Sequence, residues 1–246
     1  MQKWQNDTFI RPISEVSKPD VQNSEPPKPP LIDRSEKIYW FDEISGEIHK
    51  KLHNKPSSVD GVFFSGDTVY FVEFKTGFKK IRTKDNFDDK YAECPKFHEF
   101  CEDYKNWFFK NQDKETDELK SSIRFKVIES YITFEKKIFP LCDETENEYK
   151  LELIVVIDED EIDDYENSLL ELSNEHAQPE ADKNNCFRSL SDSLKVYKHQ
   201  KDKQDPPSDY YYDDIKVLSA NNFERLFDEL LSNDMINPSN CELQTT

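Results

Sequence analysis

A stretch of the chain, residues 58–77, constrains the fold more than any other segment. Short runs of β-branched and aromatic residues lie on either side of the turn-forming sequence Ser65-Gly66-Asp67. This pattern predicts a hairpin of two antiparallel strands joined by a tight turn. We therefore expect a β-sheet organised around this hairpin.

Three charged residues interrupt the apolar runs of the hairpin. Asp60 lies near the start of the first strand, and Glu73 and Lys75 lie near the end of the second. Residues two apart on a strand project from one face, and the hairpin brings the two strand ends together. Such charges are costly in a half-buried sheet without compensation, and two carboxylates suit Mg²⁺, which also takes water and phosphate oxygens. The pattern predicts a divalent-cation site, with Lys75 placed to hold or deprotonate a water.

The order of these residues resembles the motif of the PD-(D/E)XK nuclease superfamily. In that motif an Asp is followed on the next strand by Glu-x-Lys, which here is Asp60 and then Glu73-Phe74-Lys75. Val59 stands where the motif name has Pro. The resemblance covers residues 37–160 and includes Glu47 on a predicted preceding helix.

The resemblance implies an α/β domain with a restriction-endonuclease-like mixed central sheet flanked by helices. It also implies a nuclease that uses Mg²⁺, or Mn²⁺ in its place, in phage defence or mobile-element biology. Asp60, Glu73 and the carbonyl of Phe74 would bind the metal, helped by Glu47, and Lys75 would position the attacking water. The expected partner is nucleic acid, DNA before RNA, and the chain would act alone or as a homodimer.

The formal net charge of −19 opposes a nucleic-acid partner, because proteins that bind nucleic acid usually present a basic face. Its distribution is uneven, since basic residues follow Lys75 with no acidic residue before Asp85: Lys79, Lys80, Arg82 and Lys84. This basic run predicts either phosphate contacts or a solvated loop.

Two other functions fit the same residues. A catalytically inactive relative of the nucleases would use its acidic surface to bind a protein partner or to mimic DNA. Alternatively, Asp60, Glu73 and Lys75 would form an ordinary cross-strand ion cluster.

Composition predicts one folded domain with tails. Six prolines in residues 1–36 indicate a disordered tail, followed by a domain at 37–235 and a C-terminal tail at 236–246. A polar insertion is predicted at about 159–209. No apolar run approaches the length of a membrane span and the N-terminus does not resemble a signal peptide, so we expect a cytoplasmic protein without membrane contact.

The five cysteines predict a reducing compartment, because their number is odd and their spacing irregular. Cys94, His98 and Cys101 have the spacing of three zinc ligands on one helical face. No fourth ligand lies nearby, so isolated thiols are the preferred interpretation.

A long helix is predicted after residue 117, where apolar residues recur every three or four positions until Pro140. The resemblance implies that one of Lys120, Arg124 and Lys126 on this helix extends towards the site, whereas the preferred interpretation is that all three lie on its solvated face.

Two further strands and a helix complete the prediction. The apolar run 151–157 predicts a central strand, and the acidic residues that begin at Asp158 predict a solvated connector. A short strand at 214–218 leads into a helix at 223–231, opened by a capping box of Asn221 and Glu224. The cluster 210–212 of three tyrosines is expected to pack in the core rather than stack on nucleobases.

Overall fold

The computed structural model of the protein describes residues 7–19, 28–78, 117–141, 149–158, 187–188, 190–196 and 210–232. Several predicted features lie outside these residues: the basic run Lys79, Lys80, Arg82 and Lys84, the candidate zinc ligands Cys94, His98 and Cys101, most of the insertion 159–209, and the tail 236–246.

The described residues form one six-stranded mixed sheet with helices on both faces. The strands follow one another across the sheet in chain order: β1 (Ile10–Pro12), β2 (Lys37–Trp40), β3 (Gly61–Ser65), β4 (Thr68–Lys75), β5 (Lys150–Ile157) and β6 (Asp214–Ser219). The first four strands are antiparallel neighbours, whereas β4, β5 and β6 run parallel. The predicted α/β class with a mixed sheet is confirmed.

Five helices accompany the sheet in the described residues: α1 (Ile13–Val16), α2 (Phe41–Ile48), α3 (117–133), α4 (187–188 and 190–194) and α5 (Ala220–Ser232). A π-helical turn (Phe134–Ile138) and a 3₁₀ turn (Phe139–Leu141) continue α3. Pro140 lies in that last turn, so the predicted helix and its end are both confirmed. No described helix is both long and apolar enough to cross a membrane.

The predicted hairpin is present as β3 and β4. Gly66 has a φ of 59° in the connecting turn, a left-handed conformation that glycine adopts at little cost. Gly61 pairs with Val72, and Ser65 with Thr68 at the other end of the hairpin.

Two hydrophobic layers cover the sheet. On one face Phe71 contacts Phe134 edge to face at 5.3 Å, within a cluster that includes Ile123 and Val127 of α3. On the other face Phe63 meets Phe227 of α5 at 5.3 Å. β5 contributes fully buried side chains to both layers, as predicted for a central strand.

The tyrosine cluster packs as predicted. Tyr212 is buried, and its hydroxyl donates to the carbonyl of Val127 at 2.9 Å. Tyr211 meets Tyr131 edge to face at 4.9 Å. These contacts attach the segment before β6 to α3.

The predicted capping box of α5 is wrong. The hydroxyl of Ser219 accepts the N–H of Asn222 at 3.3 Å, and the helix already begins at Ala220. Asn221 therefore lies inside the first turn. The last residue of β6 serves as the cap, because its side-chain oxygen reaches a backbone N–H that the helix leaves unpaired.

The predicted disordered tail is also wrong for the described part of residues 1–36. β1 pairs with β2 at the edge of the sheet, with Ile10 opposite Tyr39. Ile13, Val16 and Ile32 are buried beside α5. Burial of these apolar side chains outweighs the weak local preference of a Pro-rich segment for regular structure.

Candidate active site

The hairpin register brings Asp60 and Glu73 together. Because Gly61 pairs with Val72, one step further along the register places Asp60 opposite Glu73. Glu73 lies two residues after Phe71 and thus faces the same layer, towards α3. The predicted proximity of the two carboxylates follows from the backbone pairing of β3 and β4.

Hydrogen bonds from backbone N–H groups hold the carboxylate and the carbonyl of Asp60. Its carboxylate Oδ2 accepts the N–H of Phe74 at 2.7 Å, and its carbonyl accepts the N–H of Phe41 at 3.0 Å. Asp60 is thereby attached to β4 on one side and to the first residue of α2 on the other. Phe74 contributes its N–H to the site, while its ring packs on Phe223 in the layer across the sheet.

Lys126 of α3 lies at the point where the two carboxylates converge. Its Nζ is 2.9 Å and 3.1 Å from the two carboxylate oxygens of Glu73 and 3.4 Å from Oδ1 of Asp60. The preferred interpretation that placed Lys126 on the solvated face is therefore wrong.

The sequence contains a signal for this position. Lys126 follows Leu119 by seven residues and Ile123 by three, so it lies within the apolar stripe of the helix rather than opposite it. A lysine at such a position either extends to solvent along the helix surface or pairs with a buried acid, and Glu73 is that acid here.

The other predicted site residues occupy different places. Lys75 is partly exposed at the end of β4, and its charge acts on Glu73. Glu47 is 51% exposed and pairs with Lys50 on the surface of α2. The acidic residue of α2 that acts on Asp60 is instead Asp42, whose carboxylate accepts a hydrogen bond from Ser58.

Burial makes the site unfavourable for two ionised carboxylates. The side chain of Glu73 has no solvent exposure, and burial together with the charge of Asp60 raises the pKa of Glu73 to about 8, against the opposing effect of Lys126. Burial also raises the pKa of Asp60, although Lys126 and the N–H of Phe74 oppose the shift. Burial lowers the pKa of Lys126, but the charges of Asp60 and Glu73 outweigh that effect and raise it above its usual value.

The site is partly open to solvent. The side chains of Asp60 and Lys126 are 21% and 26% exposed, whereas the side chain of Glu73 has no solvent exposure. Two acids and one ammonium leave a surplus negative charge, which an additional cation or a proton would neutralise.

The donor set fits a small hard cation. Carboxylate oxygens from Asp60 and Glu73 already surround one positive charge, that of Lys126. Within the described part of the chain no group of three or more His, Cys, Asp or Glu residues converges as a metal centre. Two carboxylates, with the remaining positions open to water and substrate, are a donor set that Mg²⁺ accepts.

Asp158 fixes the backbone just beyond the site. It follows the last residue of β5, and its carboxylate accepts the N–H groups of Gly77 and Phe78 at 2.8 Å and 2.9 Å. Gly77 has a φ of 113°, a conformation that L side chains rarely adopt. The first acid of the predicted solvated connector is therefore engaged, and it sets the direction in which the chain leaves β4.

Comparisons of the chain with protein-family models, curated proteins and solved structures found no match. The class that the structure itself defines is an α/β protein whose six-stranded mixed sheet carries an Asp–Glu–Lys cluster. The function is argued below from that cluster.

Proposed function

We propose that this protein is a metal-dependent nuclease that hydrolyses phosphodiester bonds of nucleic acid. The observation that carries the proposal is that the carboxylates of Asp60 and Glu73, from adjacent strands, converge on one positive charge, the ammonium of Lys126. The order of the described elements α2, the β3–β4 hairpin, α3 and β5 supports the proposal, because it agrees with the succession of helix, hairpin, helix and strand expected from the resemblance to the PD-(D/E)XK type. Phage defence or mobile-element biology is the setting that we propose by this analogy.

Asp60 and Glu73 would hold Mg²⁺ or Mn²⁺. When bound, such an ion stabilises the charge that develops on the phosphodiester oxygens and lowers the pKa of a water.

The protein's own residues position the reacting groups. The N–H of Phe74 fixes the orientation of the Asp60 carboxylate, and complete burial restrains Glu73. Lys75 lies on the same face as Glu73 and is partly exposed, so its ammonium is available to hold the attacking water beside the phosphate.

We also propose how a chain of charge −19 would bind an anionic polymer. The basic run Lys79, Lys80, Arg82 and Lys84 begins directly after Phe78, whose N–H is held by Asp158. These basic side chains would contact the phosphates of DNA that approaches from the solvent side of the site. Contacts of this kind weaken as salt is added, because binding releases condensed counterions.

A second candidate function is a catalytically inactive module whose acidic surface binds a protein partner or mimics DNA. Lys126 favours it, because its ammonium contacts both carboxylates and partly compensates them without a metal. Cleavage of nucleic acid in the presence of a divalent ion distinguishes the two candidates.

Activity is tested on plasmid DNA, single-stranded DNA and RNA with Mg²⁺ or Mn²⁺. We expect cleavage of at least one substrate by the wild type, and loss of cleavage in Asp60→Ala, Glu73→Ala and Lys75→Ala. Metal ligands act as a unit, so the Asp60→Ala/Glu73→Ala double variant should be hardly worse than either single variant.

Glu152→Ala is the matched control, because it removes a carboxylate that pairs with a different lysine, Lys216. It should cut like the wild type. Circular dichroism checks that every variant is folded. Absence of cleavage on all three substrates, or full activity in a folded Glu73→Ala protein, would reject the nuclease in favour of the binding module.

A further inference from the structure

Lys126 occupies the position that the two carboxylates offer to a cation. Its ammonium lies within 3.4 Å of oxygens from both Asp60 and Glu73. A divalent ion bound by the same oxygens would coincide with the ammonium and repel it. We propose that Lys126 is a displaceable counterion: the divalent metal and the Lys126 ammonium are alternative occupants of one position, and metal binding releases the ammonium towards the phosphate of the substrate.

The charge balance of the cluster favours such an exchange. Asp60, Glu73 and Lys126 together carry one more negative than positive charge when all are ionised. A divalent ion in place of the ammonium neutralises both carboxylates, whereas an ion added beside the ammonium would leave a surplus positive charge in a largely buried place. Of the two metal-bound arrangements, exchange therefore leaves the smaller uncompensated charge among Asp60, Glu73 and Lys126.

The helix allows the ammonium to leave without unfolding. Ile123 and Val127, on either side of Lys126 in α3, are buried in the core and hold the backbone in place. The lysine has a flexible four-carbon stem and its side chain is 26% exposed, while Asp60, which its ammonium approaches at 3.4 Å, is 21% exposed. Rotation of the side chain alone would move the ammonium from the carboxylates to the mouth of the site.

After the exchange, the ammonium of Lys126 would be able to bind a phosphate. A substrate phosphate that approaches from solvent would meet the ammonium of Lys126 only after a metal has bound. The inference rests on the proposed nuclease function and adds an order of events to it. The metal would bind first, and the released ammonium of Lys126 would then bind the substrate phosphate.

The test uses Mn²⁺ alone as the probe, titrated by calorimetry into wild-type protein and the Lys126→Met variant. Methionine keeps an unbranched side chain but has no charge to compete with the metal. Because the ammonium and the metal compete for the same oxygens in the wild type, the variant should bind Mn²⁺ several-fold tighter. The Asp60→Asn variant is the control, because it lacks one proposed metal ligand. Any Mn²⁺ that it still binds is bound elsewhere on the acidic surface.

A second measurement needs no variant. Mn²⁺ should increase several-fold the rate at which an acetylating reagent modifies Lys126 of the wild type, read by mass spectrometry of its peptides. Lys216 is the matched control, because it also pairs with two carboxylates, those of Glu152 and Asp214, and is 33% exposed. Its modification rate should not respond to Mn²⁺.

The outcomes separate this inference from the proposed function. Tighter Mn²⁺ binding by Lys126→Met supports the exchange. Equal or weaker binding by the variant, with specific binding by the wild type, overturns the exchange and leaves the nuclease intact. Binding by the variant alone overturns the exchange, because the metal then does not displace the ammonium of the wild type, and it also rejects the nuclease.

Two further results are decisive. Absence of Mn²⁺ binding in both proteins overturns the exchange and the nuclease together. If Lys126→Met does not fold, the acetylation measurement decides: an unchanged rate at Lys126, in wild-type protein that binds Mn²⁺, overturns the exchange.

Discussion

Replacement of Glu73 by glutamine should stabilise the metal-free protein at neutral and alkaline pH. Burial and the charge of Asp60 raise the pKa of Glu73 to about 8, from 4.5 for an exposed glutamate. The ionised form is therefore less favourable in the folded protein than in the unfolded chain. Glutamine has nearly the same shape and still offers an oxygen to Lys126, but it never ionises.

The sign of the effect follows from proton binding. The carboxyl contributes its full stability below pH 4.5, where both states are protonated, and this contribution is lost as the pH rises through 8. Between these values the folded protein keeps a proton that the unfolded chain has released. Each unit of pKa shift is worth about 1.4 kcal/mol, so the loss is on the order of 4 kcal/mol.

The assay is urea unfolding of wild type and Glu73→Gln, with a chelator, at several pH values from about 5 to about 8. The difference between the two free energies of unfolding cancels the titration of groups that both proteins share. We expect a small difference at the acidic end and a variant more stable by several kcal/mol at the alkaline end. A difference that does not change with pH, or a variant that is less stable at pH 8, would refute this account of the buried carboxyl.

Three other predictions concern stability. Ile13→Ala, at a fully buried position beside the sheet, should lower the free energy of unfolding by about 2–5 kcal/mol in urea titrations, and no change would restore the predicted disordered tail. Asp158→Ala removes the acceptor of two backbone N–H groups, at Gly77 and Phe78, and should cost about 1–3 kcal/mol for each group left buried without a partner; faster hydrogen exchange at these two amides is the measurement. Tyr212→Phe removes a buried hydrogen bond to a carbonyl of α3 and should lower stability by about 1 kcal/mol, seen as a lower urea midpoint with an unchanged slope.

The elements that the sequence predicted are those with local signals. The hairpin follows from a Gly in the turn between two β-branched runs, and α3 follows from a regular apolar period that ends near Pro140. The proximity of Asp60 and Glu73 is also local, because a hairpin pairs residues close in sequence. These features needed no knowledge of the tertiary structure.

The third member of the cluster depended on long-range packing. Lys126 is 53 residues away from Glu73, and its role depends on how α3 packs against the sheet. Its place in the apolar stripe was visible in the sequence, but a lysine there is compatible with a side chain that extends to solvent along the helix surface.

β1 was missed for a related reason. Three residues that include a proline carry almost no strand preference, and their partner, β2, is far along the chain. Pairing with β2 and burial of the adjacent Ile13 decide its conformation, and composition reports neither.

Within the described residues, β1 gives the sheet an outer edge that disfavours pairing with another chain. Pro12 has no N–H to offer, and Arg11 places a charge on β1, so this edge of the sheet is a poor template for another chain. At the opposite edge of the described sheet, β6 includes the charged residues Asp214 and Lys216, which also disfavour pairing with another chain. The neighbouring strand, β2, is less polar, because it includes Ile38, Tyr39 and Trp40 in succession. Proteolytic removal of the N-terminal segment would leave these residues at an open edge, where the strands of two copies can pair and begin an aggregate.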